Sequence, residues 1–186
     1  DIYVRNLGVR HESTSKSTAE LSELFWRQGR FDEAEKLIGS SSSSGQGQLE
    51  ILHAMHRQSA IYFARNDFAA SETLRREGLQ ISRRILGDKD PFTLTCMNNL
   101  GSVLYEQGDY VEAESLLRQT LETRRDDPGE KHPSTLHTMA NLALVCGEQG
   151  KSAEAEELLH RALELSRAVN GEAHPDTLKM TYLLSS

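Results

Sequence analysis

Apolar residues recur at helical spacing over most of the chain. From Asp90 onward, Met97, Leu100, Gly101 and Leu104 fall at i, i+3, i+4 and i+7, the signature of one buried helix face, and Ala113, Leu116, Leu117 and Leu121 form a second stripe. Between the two stripes stands Gly108, which can take the left-handed conformation that ends a helix without steric cost. The pattern predicts a tight helical hairpin. A sister pattern follows, with Met139, Leu142, Ala143 and Cys146, then Gly150, then Ala155, Leu158, Leu159, Ala162 and Leu163. Small residues on these stripes (Gly101, Ala113, Ala143, Ala155, Ala162) leave room for close helix approach.

The two hairpins are copies of one unit. Gly87, Gly129 and Gly171 are spaced by 42 residues and open the related strings GDKDPFTLTCMNNLG, GEKHPSTLHTMANLA and GEAHPDTLKM. The same offset carries Leu94 back to Leu52, Leu104 to Tyr62, Tyr110 to Phe68 and Leu121 to Leu79, a degenerate copy in phase. An earlier copy around Gly8, His11, Thr14, Leu21 and Gly29 is displaced by 79 residues from Gly87, so about five residues are missing before Leu52. That interval holds the run Ser40 to Ser44 followed by GQGQ, which reads as a flexible turn after a shortened helix or as an engineered linker. Pro91, Pro133 and Pro175 sit where each following helix begins, a position that tolerates proline because its missing N–H has no intrahelical partner there, and Asp90 is placed to cap.

A single hairpin cannot bury its own stripe, so stability must come from stacking. The expected fold is an all-α, right-handed α-solenoid of antiparallel helix pairs. Residues 1–8 finish a preceding helix, 9–47 form the shortened first repeat, 48–88, 89–130 and 131–172 the next three, and 173–186 a terminal helix.

The strings MNNLGSVL and MANLALVC, followed by AESLL and AEELL, resemble the tetratricopeptide repeat signature with Met in place of its Trp. The 42-residue period, with HPxTL, NLA, QG and EAE in order, looks like the kinesin light chain and nephrocystin-like subgroup, which also occurs in fungal receptor-like proteins. The resemblance implies a scaffold that binds a protein or peptide along a concave groove lined by the first helix of each unit. It does not choose the partner.

Composition narrows the chemistry. A formal net charge of −7 argues against nucleic acid as a partner, since nonspecific affinity for phosphates needs clustered Lys and Arg. No apolar run approaches the roughly 20 residues that cross a bilayer, so no membrane role is expected. The chain begins with Asp1 and shows no leader pattern, which reads as a fragment. Cys96 and Cys146 lie in apolar stripes without a partner motif, which suits packing in a reducing, cytoplasmic setting.

On the first helices, the side away from the Met97 stripe carries Thr95, Asn98, Asn99, Ser102, Tyr105 and Glu106, with His137 and Asn141 on the next unit and His53 and Arg57 on the one before. These are the candidate groove residues. Asn99 and Asn141 are in register, so their amides could hydrogen-bond the main chain of an extended peptide, or else tie neighbouring helices together. Arg57 falls in the same column, with His53 and His56 near it, which could receive an acidic segment, although Glu20, Glu23, Glu106 and Glu148 make the face mixed. Trp26, Phe63 and Tyr105 share a column that reads either as core packing between units or as anchors for a ligand side chain.

Enzymatic chemistry has no motif to carry it: no nucleophile elbow, phosphate-cradling loop or dinucleotide fingerprint is present. His53 and His56 have helical spacing but no third metal ligand at a fixed distance, so neither cofactor nor metal is expected. The glutamates of the second helices read as a solvated, salt-bridged outer face. An alternative function is self-association or autoinhibition within a larger protein, because the helix from Pro175 carries Leu178, Tyr182 and Leu184 without a following helix to cover them. A homodimer through that terminal helix is the form it would take.

Overall fold

The computed structural model describes residues 45–185, together with Leu21, Leu24, Phe25 and Glu33. The expectations for the first repeat, for Trp26, Glu20 and Glu23, and for the run Ser40 to Ser44 lie outside the described residues. The described residues form seven α-helices and no strand. The chain divides into two compact units, Asp1–Ile85 and Leu86–Ser186.

In the first unit, α1 (Gly45–Ala64) and α2 (Phe68–Leu86) form a hairpin. Asn66 takes a left-handed φ of 59° in the turn, and the Asp67 carboxylate accepts from the N–H of Ala70 to cap α2. Ile51, Leu52, Met55, Leu74, Leu79 and Ile81 are buried. Inside the hairpin the Ser71 hydroxyl donates to the Ser59 carbonyl at 2.9 Å. Gly45, Gln46 and Gly47 were expected in a turn or linker but belong to α1. The physical reason is the missing punctuation: the register position of Pro91 is Leu49, so nothing stops the helix from running back another turn.

The second unit contains α3 (Pro91–Gln107), α4 (Tyr110–Arg124), α5 (Pro133–Glu148), α6 (Ser152–Asn170) and α7 (Pro175–Ser185). Each helix packs on its neighbours in sequence, and α3 also touches α5. An irregular turn, Arg125–Gly129, follows α4 and contains a cis Asp127–Pro128 bond. Gly108, with φ 83°, closes α3 by donating to the carbonyls of Leu104 and Tyr105.

The predicted stripes are buried: Met97, Leu100, Leu104, Leu117, Met139 and Leu142 are all at or below 1% exposure, each worth about 1.5–3 kcal/mol of transfer free energy. Burial extends beyond those stripes, because Leu94, Val103, Leu136 and Val145 on other sides of α3 and α5 are equally covered. These helices are flanked on several sides, as stacking requires. The Gly101 site shows how tight the hairpin is: a Cβ there would come within 2.8 Å of Leu117 Cγ.

The helix starts follow one device in three forms. Asp90 caps α3 by accepting from Phe92 N at 2.8 Å, while His132 and His174 accept through Nδ1 from Ser134 N and Asp176 N, both at 3.2 Å. In the sequence the two histidines stand only as the residues before Pro133 and Pro175. Their imidazole nitrogens in fact take the acceptor role of a capping carboxylate.

Candidate partner-binding surface

Because burial wraps most of α3 and α5, only a narrow strip of each remains open. On α3 it runs through Thr95, Asn99, Ser102 and Glu106, and on α5 through the register-matched His137, Asn141, Leu144 and Glu148. The corresponding positions of α1, His53, Arg57, Ala60 and Ala64, are all exposed. The open strip is thus a property of the repeat rather than of one residue type.

Asn98, expected on the open side, is 9% exposed. Its Oδ1 accepts from Asn141 Nδ2 at 3.4 Å, and the same amide nitrogen reaches Ser102 Oγ at 3.3 Å. Asn141 is therefore joined across the helices to Asn98 and Ser102. These contacts are long for hydrogen bonds, so the amide of Asn141 is weakly held. Ser102 also donates to Asn98 O, and Thr95 donates to Pro91 O. Leu144 was missed as an open position because its type pointed to core; only its register with Ser102 marks it.

Phe63 and Tyr105 of the aromatic column pack within their own hairpins. Phe63 meets Phe68 edge-on with centroids 5.5 Å apart, and Tyr105 meets Tyr110 at 5.9 Å, so each brackets its own hairpin turn in the same register. The Arg75 guanidinium lies 5.1 Å over the Phe63 ring. Tyr105 OH also reaches Glu148 Oε1 at 3.5 Å, and burial together with the Glu148 and Glu106 charges raises the phenol's pKa. In the first unit His56 is half-buried, and burial first, then the charges of Arg75, His53 and Arg57, lowers its pKa.

Two further polar assemblies tie the helices together, the first reaching the strip at Thr95. Arg124, at 4% exposure, donates to Ser134 O at 2.9 Å, Thr138 Oγ1 at 2.7 Å and Thr95 Oγ1 at 3.1 Å, and burial lowers its pKa. It has no carboxylate partner among the described residues. In the register positions before and after it stand buried Ser82 and Ser166. The second assembly joins three helices: Glu114 of α4 binds Lys151 at 2.6 Å and Arg118 at 2.8 Å, and Arg118 reaches Glu154 of α6 at 2.6 Å and Cys146 Sγ of α5 at 4.0 Å.

Burial alone would raise the Glu114 carboxyl, but hydrogen bonds from Lys151, Arg118 and Gln149 hold its pKa at about 2. The Cys146 thiol, Glu114 and Glu154 place ligand atoms within 4.8 Å of one another, a spacing that could take a metal ion. Lys151 and Arg118 already neutralise those carboxylates, so the cluster fits an ion-pair network better than a cation site. Cys96 and Cys146 are both buried and form no disulfide.

Register-matched hairpins, proline-started helices and an open polar strip define a repeat-built helical scaffold of the solenoid class. Tetratricopeptide repeat models match residues 50–126, 98–168 and 134–186, with a further tetratricopeptide match at 17–38, and the chain belongs to the tetratricopeptide repeat family. Similar solved structures include kinesin light chain-like, nearly identical TPR-like repeats from Podosopora anserina in two forms. One is 23% identical, covering 91% of this chain and 82% of that one with a TM-score of 0.63. The other is 22% identical, covering 94% and 85% with a TM-score of 0.62.

BtubC (BKLC) from P. vanneervenii is 18% identical, with coverages of 98% and 74% and a TM-score of 0.69. At these identities the likeness establishes the fold, that of kinesin light chain-like arrays. A comparison with curated protein sequences finds no match. Among the described residues, no helix is long and apolar enough to cross a membrane.

Proposed function

We propose that the chain binds a peptide segment of a partner protein along the open strip of its first helices. Repeats of this family generally mediate protein–protein interaction. The observation that carries the finer reading is the weakly held amide of Asn141, joined at 3.3–3.4 Å to Asn98 and Ser102 beside an open line of Thr95, Asn99 and Glu106. A ligand main chain can exchange for such contacts with little loss, because the amide keeps a partner in either state. His137 would flank the strip and Tyr105 would contribute its ring edge, while His53 and Arg57 hold the corresponding open positions on the first unit.

The test begins with peptides selected from a random library against the full chain. Titration calorimetry then compares the wild type with Asn99→Ala combined with Asn141→Ala. The reading expects a loss of about tenfold in affinity, with amide shift changes confined to α3 and α5. Unchanged affinity, or shifts confined to other helices, would overturn it.

A second reading, self-association through α7, rests on Leu178 and Tyr182, which are 56% and 71% exposed although Leu94 and Leu136, at the register positions of Leu178, are at most 2% exposed. Light scattering across a concentration series decides it: a dimer that Leu178→Glu abolishes supports it, and a monomer throughout refutes it.

A further inference from the structure

The second helices carry a groove that the family reading does not use. It lies between α4 and α6 with a volume of about 420 Å³, floored by Leu121, Met139 and Leu142, with Leu158 partly open at one side. It continues along α6 into a second depression sharing Arg125, Glu157 and Arg161, so the track from Glu154 to Arg167 is about 20 Å long at 1.5 Å per residue.

The charges on its walls are not balanced. Every arginine there is answered from within: Arg118 by Glu114 and Glu154, Arg161 by Glu130 at 2.8 Å and Glu164 at 3.2 Å, Arg125 by Glu130 at 3.6 Å, and Arg167 by Glu172 at 3.0 Å. Glu122, Asp126 and Glu157 are exposed and form no ion pair among the described residues. Glu122 and Asp126 stand four residues apart on the α4 side, and Glu157 faces the same groove from α6. Three unanswered carboxylates therefore surround a depression with an apolar floor, on a chain whose formal charge is −7.

We infer that this groove docks a lysine- or arginine-bearing helical segment of a partner protein. An apolar residue of that segment sits against the partly open Leu158, and its basic side chains meet Glu122 and Asp126 on one wall and Glu157 on the other. The surface is separate from the open strip of α3 and α5, so the scaffold holds two partners of different chemistry. The acidic field of the chain steers the basic one toward it.

The experiment is fluorescence anisotropy of labelled helical peptides of about 14 residues, the length that spans the track, against the full chain. One peptide places Leu at i, i+4 spacing among lysines. A second carries glutamates in place of the lysines, and a third keeps the lysines without the leucines. The expected result is saturable binding of the first alone. Combining Glu122→Gln, Asp126→Asn and Glu157→Gln should weaken it at least about fivefold, as expected for three exposed charge pairs, with an unchanged unfolding midpoint. Asn99→Ala with Asn141→Ala should leave it unaltered. No saturable binding of the first peptide, equal binding by the triple-substituted chain, equal binding of the leucine-free peptide, or loss of binding in the asparagine variant would each overturn the inference.

Discussion

The second unit builds the same junction twice in one register and holds it together by opposite means. Between α4 and α5 the tie is Arg124, buried and bonded to Thr95, Thr138 and the Ser134 carbonyl without a carboxylate. Between α6 and α7 the position of Arg124 is Ser166, whose hydroxyl meets Thr177 at 2.8 Å, and the longer reach is made at the surface by His137 Nε2 on Asp176 Oδ1 at 2.9 Å. His137 is the register partner of Thr95, and Asp176 of Ser134. The first junction is thus insensitive to solvent and demanding of its one cation; the second is wet, exchangeable and titratable. A repeat fixes where a tie is needed but not the chemistry that makes it.

The sharpest way to break this contrast is Arg124→Ala. It removes three hydrogen bonds and most of a long buried side chain, and should lower stability by about 3 kcal/mol in denaturant unfolding. Arg124→Met refines the measurement. It keeps much of the volume and removes a buried charge, a change that is often nearly neutral, so it should cost about 1 kcal/mol. If Met proves as harmful as Ala, the polar contacts and not the filling of space carry the junction.

The hairpins differ in the same informative way. Gly101 faces Leu117 so closely that Gly101→Ala should cost about 2 kcal/mol, since a Cβ would stand 2.8, 3.0 and 3.3 Å from three atoms of that side chain. The register partner of Gly101 is Ala143, buried and accommodated in its own hairpin. By contrast, the nearest atoms to a Cβ at Gly78 are at 3.7 Å, so Gly78→Ala in α2 should stabilise by about 0.5–1 kcal/mol. Paired thermal melts check both signs, and a gain at Gly101 would show that Leu117 has room to move.

Such differences explain what could be read from the residues alone. The period of 42, the stripes through Met97 and Met139 and the proline starts made the helix pairs legible, because each rests on a local rule that holds wherever the residue recurs. The candidate surface was legible only in part. Asn98 was placed on the open side because periodicity describes one helix at a time, whereas its burial comes from α3 being flanked on several sides. Leu144 was overlooked for the converse reason, its type suggesting core although its register is that of half-open Ser102.

Arg124 had no signal at all beyond the break in a column of serines. The histidine caps were visible as His-Pro pairs, but the acceptor role of Nδ1 depends on a rotamer that no spacing shows.

The network around Glu114 tests whether the links among α4, α5 and α6 share the solvent insensitivity of Arg124 or the acid sensitivity of Asp176. Its carboxyl, held at about 2, is depressed from the ordinary value of 4.5. The stability it adds is therefore present above the unfolded value of about 4.3 and lost as pH falls through the folded one. Glu114→Gln should cost about 1 kcal/mol at pH near 7, reduced from the full shift because Lys151 and Arg118 are solvent-exposed, and almost nothing at pH near 2. Chemical unfolding at both values decides it; a cost equal at the two would assign the effect to packing.

The smallest effect separates the two junctions most cleanly. Asp176 is lowered first by the hydrogen bond from His137, against a raising contribution from burial and with help from the charges of His174 and Lys179. A depressed carboxylate stabilises above its unfolded value of about 3.9, and the contribution disappears as pH falls through the folded value. With both side chains partly exposed, His137→Ala should lower stability by only about 0.5 kcal/mol near pH 7. That corresponds to about 2 °C in melting temperature, and the difference should vanish once acid has protonated Asp176. The cost of Arg124→Ala should persist over that same range, since the contacts of Arg124 are to hydroxyls and a carbonyl that do not titrate. If the two costs instead fall together with pH, the two junctions would share a titratable support, and the division between a buried tie and a surface one would be wrong.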